Sequence, residues 1–290
     1  MSLMKHKYLC LYIGLMMLAF TSCSDDPYDA SPSQTTAKDS TGVMVLTTSR
    51  NDGKLSIAID AASASRSGVW IDLNGDGHRA TDASEDVKTF DAYTDYTLPD
   101  RVRKVTIHGN VTYLGCAADS LTGIDVTGNP SLITLNCPQN KLPGIDLSRN
   151  ISLQKLDCSE NEIKSLDLSA NTALLSLWCF NNQLTSLDVS GNSLLASLDC
   201  SGNQLSTLDV TKNTALERLL CYNNAITTLD LSDNEQLDRL WIFGNPFTAD
   251  EYTRIMTALK TVAAGNLWVS EDQLTDALKT SIAAKGWTIQ

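Results

Sequence analysis

The stretch IDLNGDGHRATDASED places Asp72, Asn74 and Asp76 at alternate positions, with Gly77 immediately after them. Three oxygen donors at that spacing, followed by a glycine that turns the chain, match the opening of a calcium loop. The ending departs from the helix-loop-helix pattern: the twelfth position is Ala83, so Asp82 or Glu85 must close the set. Strand-forming sequence flanks the loop, so a calcium ion held there would be structural and not a sensor. No other cofactor is required. The alternative is a polar hairpin turn, because Asn-Gly and Asp-Gly form turns without a metal.

A second set of reactive groups recurs along the chain. Cys116, Cys137, Cys158, Cys179, Cys200 and Cys221 are spaced 21 residues apart, as are Asp125, Asp146, Asp167, Asp188, Asp209 and Asp230. Zinc does not fit the thiols, because they form no C-x-x-C pair and His78 and His108 are the only histidines beyond the leader. Paired carboxylates could hydrolyse a glycosidic bond. Every regular aspartate is explained by a repeat, however, and no nucleophile elbow, zinc helix motif or phosphate loop accompanies them.

The element that must position these groups is that repeat. Units 121–141, 142–162, 163–183, 184–204, 205–225 and 226–246 superimpose without insertion on L-x-x-L-D-[LV]-[ST]-x-N-x-x-L-x-x-L-x-C-x-x-N-x, with Ile at some Leu positions. A shortened unit, VRKVTIHGNVTYLGCAADS, precedes them. The spacing L-x-x-L-x-C-x-x-N-x-L resembles a leucine-rich repeat, and because both halves carry it, the chain resembles the nested, IRREKO-type repeats of bacterial surface proteins. The resemblance covers about half the chain. It implies a solenoid with two extended segments and two asparagine corners per coil. The expected fold is a leucine-rich repeat solenoid, β-rich, with a small N-terminal β domain and a C-terminal β/α cap.

One coil cannot bury its own apolar face, but coils stacked about 4.8 Å apart share one core. Leu135, Leu156, Leu177, Leu198, Leu219 and Leu240 should form one buried column. Val126, Leu147, Leu168, Val189, Val210 and Leu231 should form another. Each cysteine lies two residues after a core leucine and therefore points inward, where a reduced thiol acts as a small apolar filler; Ile242 takes its place in the last coil. The rival is three disulfides, against which stands the roughly 4.8 Å spacing of equivalent Cβ atoms, where a relaxed bridge needs about 3.8 Å.

The asparagines at 129, 150, 171, 192, 213 and 234, and at 140, 161, 182, 203, 224 and 245, should pair with backbone groups left over at the corners. The aspartates face outward, stabilised by Asx-turn bonds to the Ser or Thr two positions on or by cations along the stripe.

The positions between and after the inward residues of L-x-C vary. They carry Asn136, Asp157, Trp178, Asp199, Leu220 and Trp241, then Phe180, Tyr222 and Phe243, with Arg218 and Arg239 alongside. Aromatic and arginine side chains sharing one face suit a binding patch, so Trp178, Phe180, Arg218, Leu220, Tyr222, Arg239, Trp241 and Phe243 are the candidate ligand face. The alternative is that the C-terminal cap covers some of them, Trp241 and Phe243 first.

Residues 1–22 read as a signal peptide. Its junction before Cys23 resembles the lipobox of bacterial lipoproteins, although Phe20 stands where that motif prefers Leu. The resemblance implies an acylated Cys23, a membrane attachment and an exported chain on the bacterial outer membrane or cell surface. Residues 23–42 form a polar tether, 43–100 a small β domain, 101–246 the repeats and 247–290 the cap. In the β domain, VMVLTTSRNDGKLSIAIDA reads as two strands joined by an Asp52-Gly53 turn. In the cap, Thr248 with Glu251 and Ser270 with Gln273 read as capping boxes, each opening a helix, and Gly286 ends the second.

Losing Lys5 and Lys7 with the leader takes the net charge from −12 to about −14, which disfavours nucleic acid. The expectation is a monomeric, non-enzymatic adhesion protein. It would present its repeat face to a protein or glycan on another surface, as internalin-like proteins imply. A structural envelope component, or less readily a carboxylate-dependent glycoside hydrolase, is the alternative.

Overall fold

The computed structural model describes residues 42–100 and 102–290. Cys23, the leader and the tether up to residue 41 lie outside the described residues. The strands are β1 (Val43–Thr48), β2 (Lys54–Asp60), β3 (Trp70–Asp72), β4 (Tyr93–Thr97), β5 (Lys104–His108), β6 (Tyr113–Gly115) and β7 (Leu121–Asp125). One per coil follow: β8 (Thr134–Asn136), β9 (Lys155–Asp157), β10 (Ser176–Trp178), β11 (Ser197–Asp199), β12 (Arg218–Leu220) and β13 (Arg239–Trp241). Helix α1 (Ala249–Ala258), β14 (Gly265–Trp268), α2 (Asp276–Ala284) and β15 (Trp287–Ile289) complete the chain.

These strands form a leucine-rich repeat solenoid. An 11-stranded sheet runs in the order β15-β14-β13-β12-β11-β10-β9-β8-β6-β2-β4, and a four-stranded sheet in the order β3-β5-β1-β7. From β6 through β15 the pairing is parallel and in register with the repeat, Leu114 beside Leu135, then Leu156, Leu177, Leu198, Leu219, Leu240 and Leu267. Both leucine columns are buried and belong to one continuous core. Each fully buried Leu or Val contributes about 1.5–3 kcal/mol of transfer free energy. The six repeat cysteines are all free and 0% exposed. Their burial pushes the thiols well above the ordinary range, which leaves them as apolar filler.

The two asparagine columns bind the coils together in different ways. Asn161 Oδ1 accepts the Leu142 N–H at 3.0 Å, while its Nδ2 donates to the carbonyls of Cys137, Cys158 and Ser159. Asn140, Asn182 and Asn203 repeat that pattern. In the other column only the amide donates: Asn171 Nδ2 reaches the Leu147 and Asn150 carbonyls at 3.1 and 2.9 Å, and its buried Oδ1 has no partner.

Four details differ from the sequence expectations. Among the described residues, only the first repeat coil forms its second expected strand, β7; later coils make single contacts there, such as Glu162 N–H to the Leu142 carbonyl at 3.0 Å. There the exposed aspartate carboxylates accept the N–H of the serine two residues on. β1 and β2 both exist, with Gly53 at φ +66° between them, but they do not pair. β1 pairs with β5 and β7, and β2 with β4 and β6. Their apolar faces, Met44 and Leu46 against Leu55, Ile57 and Ile59, lie in the shared core. The Glu251 carboxylate accepts from Leu229 N–H at 2.7 Å and pairs with Arg254, while Thr248 alone caps α1. Ser270 opens only a short 3₁₀ turn; α2 starts later, capped by the Thr275 hydroxyl, which accepts from Leu278 N–H at 3.2 Å. Gly286, at φ +84°, follows the end of α2. Among the described residues no helix is long and apolar enough to cross a membrane.

Candidate ligand-binding face

Because side chains alternate along a strand, the residues flanking each inward leucine stand on the outer face of the parallel sheet in rows. One row holds Lys155, Ser176, Ser197, Arg218, Arg239 and Asn266. The next holds Asp157, Trp178, Asp199, Leu220, Trp241 and Trp268. Two residues further come Ser159, Phe180, Ser201, Tyr222 and Phe243.

At the C-terminal end the rings meet. Tyr222 and Phe243 stack with centroids 4.6 Å apart and planes 12° from parallel, and Phe243 continues to Trp268 at 4.8 Å. Trp241 meets Trp268 edge-on at 5.2 Å and Tyr222 at 6.2 Å. Each such pair contributes about 0.5–1.5 kcal/mol beyond its buried area. Trp241 Nε1 donates to Asn266 Oδ1 at 2.6 Å.

Of the residues expected to be exposed here, Leu220 and Trp241 are buried, each 4% exposed. Tyr222 and Trp268 pack against Trp241, and Leu220 is its neighbour on the adjacent strand. Trp178, Phe180, Tyr222, Phe243 and Arg239 are half-buried, and Arg218 is exposed. Tyr222, Trp241 and Phe243 belong to one cluster; Trp178 and Phe180 stand two strands away, separated from it by Asp199 and Ser201 of the intervening coil. Trp268 and Asn266 were missed from sequence. The signal was present, since GNLWV repeats the register of DRLWI one coil earlier.

Asp157 and Asp199, on either side of Trp178, were also missed as site residues. Burial pushes their carboxyls up, to about 6 and about 7, while hydrogen bonds from Ser159 and Ser201 hold them partly down. Those serine hydroxyls donate at 2.6 Å and their backbone N–H groups at 3.0 and 3.1 Å. The outer aspartates have the opposite shift. Serine hydrogen bonds hold Asp146, Asp167 and Asp188 below the usual carboxylate range, and Thr211 and Ser232 do the same for Asp209 and Asp230. The Asx-turn explanation of that column is therefore what the geometry shows.

In the 72–85 loop the two buried carboxylates serve backbone donors. Asp72 accepts from Gly75 and Gly77 at 2.6 and 2.9 Å, and Glu85 from Leu73 and Ala80 at 3.0 and 2.9 Å. Asn74, Asp76 and Asp82 are exposed. Asn74 donates to Asp76 at 3.0 Å, and Asp82 accepts from Ser84 N–H at 3.0 Å. Among the described residues no three His, Cys, Asp or Glu side chains are grouped to hold a metal ion.

No family model and no curated protein matches the chain. Solved structures similar to it include a leucine-rich repeat protein of Leptospira interrogans, 27% identical over 46% of this chain and 37% of that one, with a TM-score of 0.45. An internalin from Listeria monocytogenes is 24% identical over 57% and 48%, with a TM-score of 0.48. The functional domain of InlJ from Listeria monocytogenes, which includes a cysteine ladder, is 24% identical over 60% and 52%, with a TM-score of 0.38. The chain thus spans 37% to 52% of the length of these structures.

Proposed function

We propose that this chain is a surface-displayed binding and adhesion protein, not an enzyme, which presents the C-terminal part of its parallel sheet to a protein ligand. The observation that carries the reading is the half-buried ladder of Tyr222, Phe243 and Trp268, braced by Trp241, on the same face of the sheet as Arg218 and Arg239. Rings fixed by stacking lose little entropy on binding, and aromatic and arginine side chains dominate interface energetics. The parallel sheet beneath holds them rigidly.

The test is binding of the full chain to immobilised host-cell and matrix proteins, compared with the Tyr222→Ala and Phe243→Ala variants. About a tenfold or greater loss of affinity, with Tm lowered only by the few degrees that trimming a half-buried ring costs, supports the reading. Undiminished binding by both variants would sink it and leave a structural role in the envelope. The reading includes acylation of Cys23 as the membrane attachment, checked by fatty-acid labelling that Cys23→Ala abolishes, and action as a monomer. It also includes a structural calcium ion in the 72–85 loop, which Asp72, Asn74, Asp76 and either Asp82 or Glu85 would hold by exchanging for the ion the hydrogen bonds they make without it. A rise of Tm in CaCl2 that Asp76→Ala removes supports that ion; a Tm indifferent to calcium removes it.

A further inference from the structure

Four of the eight described arginines of this acidic chain lie on a carboxylate: Arg50 on Asp52, Arg66 on Asp60, Arg79 on Asp86 and Arg254 on Glu251. Arg218 and Arg239 do not. They occupy matched positions of adjacent parallel strands, so their stems leave the sheet about 4.8 Å apart, and like charges that close repel. Among the described residues neither has an ion pair. Their row neighbours offer no relief. Ser197 beside Arg218 is neutral, and Asn266 beside Arg239 gives its Oδ1 to the Trp241 indole at 2.6 Å. The nearest acid in the adjoining row, Asp199, accepts from Ser201. Arg239 Nε is buried with no acceptor among the described residues.

Resting on the binding-face reading above, we infer that Arg218 and Arg239 are the anion-binding end of that face. Their ligand is an extended peptide segment carrying an acidic side chain, with an apolar side chain about four residues away. Two guanidinium forks side by side suit a carboxylate, which can accept from both. The Tyr222 and Phe243 rings lie four residues further along the same coils, two past the ends of β12 and β13, where backbone bonds between the coils continue; at the extended rise of 3.3 Å per residue that is about 13 Å, the span of residues i and i+4 of an extended peptide. A sulfated glycan fits less well. Tyr222 and Phe243 cover one face of each other at 4.6 Å, and Trp268 meets Phe243 as well, which leaves little ring face for a sugar to stack on. The net charge of −12 also repels a polyanion.

The experiment is selection of a displayed library of random dodecapeptides on the full chain, followed by titration of the enriched peptides as synthetic compounds. The expected result is enrichment of Asp or Glu with an aromatic or aliphatic residue four positions away. Affinity should fall about tenfold or more in Arg218→Gln and in Arg239→Gln, whose melting curves stay as in the parent, and should fall with rising NaCl. Lysine at either position should restore part of it. Enriched peptides that lack acids, or that bind the glutamine variants equally well, would overturn the inference. If Tyr222→Ala still abolishes their binding, the binding-face reading survives that failure. If no peptide enriches, or binding ignores the rings as well, both fall. A heparin octasaccharide that binds the parent, and is lost in the glutamine variants while acidic peptides are not bound, overturns the peptide and assigns the arginines to a sulfated sugar.

Discussion

Asp167 and Asp199 make almost the same local turn. Each Oδ1 accepts the N–H of the serine two residues on, at 2.9 Å from Ser169 and 3.1 Å from Ser201. Yet the Asp167 carboxyl is held below the usual range and the Asp199 carboxyl is pushed up to about 7. Hydrogen bonding cannot account for the opposite signs, since it lowers both. The difference is water: Asp167 is exposed on the far side of the coil, while Asp199 is 6% exposed on a sheet face roofed by neighbouring side chains. Removing solvent from a carboxylate disfavours its charged form more than two hydrogen bonds favour it. In one repeat, the same residue type is a turn-former on one side and a proton-binding group on the other.

The largest break in that comparison should come from Asp199→Asn. Folded-state values of about 6 and about 7 for Asp157 and Asp199 lie above the ~3.9 of an unfolded aspartate. The stability this pair contributes is therefore complete below about pH 4 and lost as pH rises through 6 to 7. Asp199→Asn should remove the larger share of the decline between pH 5 and pH 8 and stabilise the protein at pH 8 by on the order of 2–4 kcal/mol, as read by urea denaturation at both values. Next is Trp178→Ala, which takes away the ring between the two carboxyls. A loss of about 2 kcal/mol at pH 5, below the 3–5 of a fully buried ring, should come with a flatter pH dependence as water reaches both acids. Ser201→Ala removes the 2.6 Å donor to Asp199. It should cost about 1 kcal/mol at pH 8, less at pH 5, and raise the Asp199 titration followed by carboxyl NMR. Asp167→Asn should be the smallest, a Tm change within about 2 °C, and the lowered carboxyl it removes has the opposite dependence: its contribution is present above ~3.9 and is lost as pH falls. A rise in stability between pH 5 and pH 8 in the parent would contradict the contrast.

Much of the candidate face could be read from the repeat, because the position of a residue within a coil decides whether it points in or out. That logic located the leucine columns, the inward thiols and the row holding Trp178, Leu220 and Trp241. It failed for Leu220 and Trp241 themselves. Pointing outward is a property of one coil, but exposure depends on what the next coil and β14 place over it. It also passed over Asp157 and Asp199, because an aspartate at an outward position reads as an ordinary solvated group until its neighbours are known.

From the chain alone came the solenoid, its 21-residue register, the reduced state expected of its core sulfurs and the corners closed by asparagine, all consequences of spacing along one strand of backbone. Only the packed molecule decided which outward side chains meet water, that the last two strands extend the sheet and bring Trp268 onto Trp241, and that Arg218 and Arg239 stand together without an ion pair among the described residues. Those outcomes depend on lateral neighbours contributed by residues a full coil or more away, and desolvation and charge pairing are set by such neighbours and not by the residues' own sequence.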